Sequence, residues 1–149
     1  MTPQPFVAGV AEDAEVLAED RGVAFALAHN DSGQMRFEPT LVRQLLLNLI
    51  TNALNVSPRG ATVGLSSTVV DGVWTLALAD EGPGLPPEQL PRIFERFVRF
   101  KHAQGETRGH GLGLAICRSI VELHGGTITA ANRTDRSGLV VTVRLSVGA

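Results

Sequence analysis

The sequence predicts an α+β fold in which a mixed sheet is covered on one face by helices. Apolar residues recur at helical spacing in well-separated stretches, and alternating stretches come in pairs joined by turn residues. The resulting order is helix, two strands, helix, hairpin, loop, helix, hairpin. Two hairpins and so few helices argue against a doubly wound parallel sheet.

Phe6, Val10, Ala14 and Leu17 share one face of a helix over residues 5–19, which Arg21-Gly22 closes. Val23, Phe25 and Leu27 alternate as a half-buried strand, Asp31-Ser32-Gly33 turns the chain, and Met35 and Phe37 alternate in a short second strand. Glu38-Pro39 opens a helix, since proline in the first turn has no intrahelical bond to lose. That helix runs to about Asn55 and stops before Ser57-Pro58-Arg59-Gly60.

Val63, Leu65, Ser67 and Val69 form a strand that Asp71-Gly72 folds back onto Val73–Ala79. A loop with Gly82-Pro83-Gly84 and Pro86-Pro87 leads to a short helical piece around Ile93-Phe94. Residues 98–110 are polar and aperiodic, a long mobile loop of the kind that usually carries function. A helix from Leu112 to Leu123 ends at Gly125-Gly126. Strands over 127–132 and 139–147, joined by a turn at Asp135–Gly138, finish the chain.

The 149 residues suit one domain with one core, and the formal charge of −2 gives no reason to expect nucleic acid or an anionic membrane as partner. A lone cysteine, Cys117, excludes a disulfide framework or a cysteine-rich zinc site and fits a reducing compartment. No apolar run reaches the ~20 residues of a membrane span, and the first residues lack the pattern of a signal peptide.

Four features carry chemistry. Gln44, Asn48, Asn52 and Asn55 lie on one face of the second helix. The stripe reads either as a solvated face or as neutral amides lining a pocket; an amide oxygen can ligate Mg²⁺ without adding negative charge beside phosphates. Asp80 follows a strand and precedes Gly82 and Gly84. It reads either as a plain turn or as a carboxylate that accepts from an amine such as adenine's and rejects the carbonyl that guanine presents there. Gly109-His110-Gly111-Leu112-Gly113-Leu114 opens the third helix, either as a flexible loop end or where free N–H groups meet phosphate. Arg96, Arg99, Lys101 and Arg108 make the preceding loop basic, either as a solvated surface or as a grip on phosphate oxygens.

In order and spacing these motifs resemble the ATP-binding catalytic domain of sensor histidine kinases, in the superfamily shared with gyrase B, Hsp90 and MutL. Residues 40–57 resemble its N box, Asp80–Gly84 its G1 box, Arg92–Arg99 its F box, and Gly109–Leu114 its G2 box. Glu122–Gly126 resembles the usual end of the following helix. The resemblance implies a two-layer sandwich with a mixed five-stranded sheet, about three helices and a mobile ATP lid at 98–110. It implies that Asn52 ligates Mg²⁺, Asn48 and Asn55 line the phosphate side, Asp80 binds the adenine amine, and Gly82 and Gly84 shape the adenine pocket. Arg99 would reach the γ-phosphate, making Asn48, Asn52 and Arg99 the catalytic set. Lys101, Gly109, His110, Gly111, Leu112, Gly113 and Leu114 would complete the nucleotide contacts. Phe94 and Phe97 would anchor the lid.

Asn55 stands where the family often has Lys or Arg, and Val56 where an aromatic is frequent, which implies weaker nucleotide affinity. None of His29, His102, His110 and His124 lies in the helical context of a phosphoacceptor. The chain therefore reads as one cytoplasmic ATP-binding catalytic domain over 1–149, with the phosphoacceptor hairpin on a separate part of a parent protein that is either membrane-anchored or soluble. Its expected partners are that histidine domain and a downstream response regulator, with no nucleic acid and no direct membrane contact. A gyrase- or Hsp90-type clamp needs a catalytic Glu in the N-box helix, and no acid lies between Glu38 and Asp71. The remaining alternative is a degenerate, non-catalytic nucleotide-sensing module of the same fold.

Overall fold

Helix α1 (Pro3–Asp20) buries Val7, Val10, Ala11, Ala14 and Ala18, one continuous stripe at spacings of three and four. It ends in a paired motif, with Gly22 N–H donating to Glu19 C=O and Val23 N–H to Ala18 C=O. The computed structural model describes residues 3–95, 100–101, 107–108 and 113–146, with side chains described over 3–95 and 114–146. Strand β1 (Ala24–Asn30) follows, then helix α2 (Pro39–Val56), which has Pro39 in its first turn as expected. Strands β2 (Thr62–Val70) and β3 (Val73–Ala79) form the hairpin at Asp71-Gly72, where both residues take positive φ, 51° and 76°. That pair of angles matches the right-handed twist of a two-residue hairpin.

A 3-10 turn (Pro87–Arg92) precedes β4 (Phe100–Lys101) and β5 (Thr107–Arg108), which pair with each other. Helix α3 (Gly113–Leu123), β6 (Thr127–Asn132) and β7 (Leu139–Ser146) complete the described chain. The main sheet has the order β1-β2-β3-β7-β6, with β1 parallel to β2 and every other pair antiparallel. The mixed five-stranded sheet and single helical layer are those expected: α2 lies between α1 and α3, and the three meet the sheet from one side. Among the described residues no helix is long and apolar enough to cross a membrane.

Three expectations change. Met35 and Phe37 are not a strand; residues 31–38 carry no regular structure. Their alternation reflects packing instead. Met35 is buried, and the Phe37 ring lies 4.9 Å from Trp74 and 5.0 Å from Phe6, bridging sheet and helix layer. A period of two records which side chains face inward, and an extended connection without a partner strand shows it equally well. The helical piece falls on Pro87–Arg92 rather than around Ile93-Phe94, which are a buried turn after it. Finally, the stretch 98–110 contains the short paired strands β4 and β5, and β5 lies against α2.

The core centres on α2. Leu45, Leu46, Leu49, Ile50, Ala53 and Leu54 are all buried against strands and the neighbouring helices. Trp74 is fully enclosed, and its indole N–H donates to Ser67 Oγ at 2.8 Å, so its one polar atom is satisfied inside the core.

Candidate functional site

The strand β3 delivers Asp80 to the sheet's end, beside β7. Ala79 is the last residue paired with β7, and the pairing continues one step as Asp80 N–H donates to Leu139 C=O at 3.0 Å. The Asp80 side chain is only 2% exposed. Its Oδ1 accepts from Gly82 N–H and Leu139 N–H, each at 3.0 Å. Two backbone donors on one oxygen fix the rotation of the carboxylate, the one from Gly82 N–H closing a turn two residues on.

The loop after Asp80 is tied on both sides. Glu81 N–H donates to Ser57 Oγ at the end of α2, and the Glu81 carboxylate accepts from Thr62 N–H at the start of β2, at 2.7 Å. Gly82 and Gly84 are required by close approach to the protein's own atoms. A Cβ on Gly82 would lie 2.7 Å from Val56 Cγ2, and one on Gly84 would lie 2.6 Å from Asn132 Oδ1. Val56 thus packs directly under the loop. A cleft of about 340 Å³ opens here, lined by Asn55, Val56, Ser57, Glu81, Gly82 and Pro83 among others.

The amide stripe of α2 divides. Gln44 and Asn55 are exposed, whereas Asn48 and Asn52 are half-buried. Asn52 Nδ2 donates to Asn48 C=O one turn earlier, at 3.0 Å, which turns the amide nitrogen toward the helix and the oxygen away from it. The Asn48 side chain lies beside the Cys117 thiol of α3. Cys117 is completely buried and donates to Leu45 C=O at 3.7 Å, and burial pushes its thiol up to about 12. At pH 8 the thiolate fraction is then about 1000-fold below that of an ordinary thiol. Native protein is expected to resist iodoacetamide at this pH and to take up one equivalent after unfolding; rapid native labelling, read by intact mass, would count against this packing.

Helix α3 is joined to α2 at its far end by His124. Its Nε2 accepts from Glu38 N–H at 3.0 Å, and Nδ1 bonds Ile120 C=O at 2.9 Å, so the ring bridges the end of one helix and the start of the other. Leu114, in the first turn of α3, is buried in the core, as is Phe94. Arg99, Gly109, His110, Gly111, Leu112 and Phe97 lie outside the described residues, and Lys101 and Gly113 are described in their backbone only. A larger cavity of about 520 Å³, between α3, β6 and the 3-10 turn, is lined by none of the sequence-predicted site residues except Phe94.

One set of contacts was not legible beforehand. The turn between β6 and β7 reaches back to the loop at three points: Asn132 exchanges two hydrogen bonds with the Leu85 backbone, Arg133 Nη1 donates to Asp80 C=O, and Ser137 Oγ donates to Gly82 C=O. The sequence signalled only the turn at Asp135–Gly138, not what its neighbourhood would reach. The Arg133 guanidinium also grips Asp135 and holds that carboxyl down to about 2. Whatever this pair contributes is therefore present above the ordinary carboxylate range and lost as pH falls through about 2.

Residues 37–149 match the family described as histidine kinase-, DNA gyrase B- and HSP90-like ATPases. The chain belongs to this family. Within this ATPase family its relatives are sensor histidine kinases. It is 37% identical over 130 residues to sensor histidine kinase CusS of Escherichia coli K12, covering 87% of this chain and 27% of CusS. The chain thus spans about a quarter of that relative's length. The structure of the mycobacterial sensor histidine kinase MprB superposes with a TM-score of 0.82 at 27% identity, covering 97% of this chain and 95% of that one. Full-length ShkA, solved in complex with AMPPNP, gives 0.75 at 27% identity over 98% of this chain and 30% of its own. The ATPase fold therefore includes α1 and β1, which precede the matched segment.

Proposed function

We propose that this chain is the Mg·ATP-binding catalytic domain of a sensor histidine kinase, donating the γ-phosphoryl group to a histidine on a separate phosphoacceptor domain. The observation that carries the reading is Asp80, a buried carboxylate oriented by two backbone donors in an ATPase-family fold. Oriented in this way, it selects a base with an amine over one with a carbonyl, because a buried acceptor facing another acceptor is left unpaired.

Asn52 fits a divalent cation. Its amide nitrogen is used within the helix and its oxygen turned outward, and an oxygen ligand suits Mg²⁺. Among the described residues no group of three or more His, Cys, Asp and Glu could hold a metal; the other ligands we propose are phosphate oxygens and water. Bound Mg²⁺ supplies charge neutralisation at the phosphates. Asn48 and Asn55 border the same side of α2, and Arg99, Lys101 and the Gly109–Leu114 segment are the proposed phosphate contacts. The chemistry asked of the chain is positioning and charge stabilisation, with no covalent step on its own residues.

The partners proposed are the phosphoacceptor domain of the parent and a downstream response regulator, in the cytoplasm where ATP is available. Mixing the chain with a cognate phosphoacceptor domain and γ-labelled ATP is expected to yield acid-labile phosphohistidine, lost in Asn52→Ala. ATP binding without any phosphohistidine, with both domains folded, would favour the non-catalytic nucleotide-sensing alternative.

A further inference from the structure

We propose that Arg133 is a positioning residue for Asp80, acting from the β6–β7 turn with Asp135 as its orienting partner. The inference rests on the reading of Asp80 as the base-recognising carboxylate. Arg133 divides its donors between two acceptors. Nε and Nη2 bond the two Asp135 oxygens at 3.0 and 2.9 Å, a fork that fixes the guanidinium plane. Nη1, the guanidinium nitrogen outside that fork, donates to the Asp80 carbonyl at 3.0 Å. The Arg133 side chain is 15% exposed whereas that of Asp135 is 57% exposed, so the charge points inward from an anchor at the surface. An ordinary surface ion pair has neither this burial nor a third bond to the backbone of a buried carboxylate residue.

The place of that bond matters. The turn also runs close to Asp80 C=O at Gly138, where an added Cβ would lie 2.1 Å from it. Arg133 N–H closes the turn onto Gly138 C=O at 2.9 Å, and the next residue, Leu139, gives its N–H to Asp80 Oδ1. One short segment thus sets both the backbone and the carboxylate of Asp80. Asn132 and Ser137 hold the rest of the loop, at Leu85 and Gly82, while the Arg133 side chain bonds the backbone of Asp80 itself. A directional hydrogen bond to a base tolerates little displacement, so loosening this grip acts on base selection without removing any group that touches the nucleotide.

The test uses the whole chain with Arg133→Gln, Arg133→Lys and Asp135→Asn, and with Arg118→Gln as a remote loss of the same charge. Arg133→Gln is expected to weaken ATP about tenfold, the size of one charge-assisted hydrogen bond, and to narrow the preference for ATP over GTP. Arg133→Lys, which keeps the charge but not the fork, is expected to recover part of the affinity, and Arg118→Gln to match wild type. Amide hydrogen exchange without nucleotide gives a second reading: Gly82 and Leu139, the two donors to Asp80 Oδ1, are expected to lose protection in Arg133→Gln. Unchanged protection at both amides would overturn the positioning role, whether or not nucleotide binds. A wild-type chain that fails to bind ATP, with those amides deprotected in the variant, sinks the base-recognition reading and leaves Arg133 holding Asp80. A lower melting temperature with unchanged base preference and unchanged protection would reduce Arg133 to a general stabiliser.

Discussion

Replacing Asp80 with Asn is expected to weaken Mg·ATP binding by about 10- to 100-fold while leaving the fold in place. The two shapes are the same, and the Asn carbonyl oxygen can still accept from Gly82 and Leu139 N–H, the bonds that orient the side chain. What changes is the other end of the group, where a carboxylate oxygen becomes an amide nitrogen. On the proposed role of Asp80, the adenine amine then meets a donor, so a charge-assisted bond is lost and two donors are brought together. Isothermal titration with Mg·ATP checks this, with far-UV circular dichroism and melting temperature confirming the fold. Equal heats and equal affinity for both proteins would remove Asp80 from the base site.

The second large effect is expected from a single methyl group. Gly138 has φ of +144°, and a Cβ there would sit 2.1 Å from Asp80 C=O and 2.9 Å from Arg133 Cδ. Backbone carbonyls in a paired sheet cannot move aside as a flexible side chain does. Gly138→Ala therefore combines left-handed strain with overpacking, for a loss of about 2–5 kcal/mol and a fall in melting temperature of roughly 10 °C. Gly60→Ala serves as the control: it also has positive φ, +86°, but nothing lies within 4 Å of its Cβ position. It is expected to cost about 1 kcal/mol. Nucleotide affinity should fall with Gly138→Ala in the fraction that remains folded, because the displaced atom belongs to Asp80. Two variants that melt within about 2 °C of each other would show that the turn does not press on the site.

The helices and the hairpins were legible because their signals are local. Val10 and Ala14 declare their buried face by spacing alone, although Leu17, expected on that face, is 42% exposed while Val7, Ala11 and Ala18 are buried. Asp71-Gly72 suits few turns other than the tight hairpin it makes. Asp80 was legible as a carboxylate at a strand end beside glycines. The reason for those glycines was not. Gly82 and Gly84 are small because Val56 and Asn132 occupy the space where side chains would go, and those neighbours lie 26 and 48 positions away in the chain. Met35 and Phe37 misled for the converse reason. Inward-facing residues in an unpaired connection give the same alternation as a strand, and only the position of Trp74 and Phe6 distinguishes them.

Local pattern was thus enough for most element types and for the family resemblance, because these depend on side-chain identity and short-range backbone preference. Which oxygen of Asp80 is used, which way the Asn52 amide points, and that Asn48 faces Cys117 depended on how the layers come together. So did the role of Arg133. In the sequence it is one of several charged residues in a polar turn, and its partner Asp80 is 53 positions away. The pairing of β7 with both β3 and β6 brings them to 3.0 Å, and hydrogen bonding at that range is set by packed geometry that no local spacing encodes.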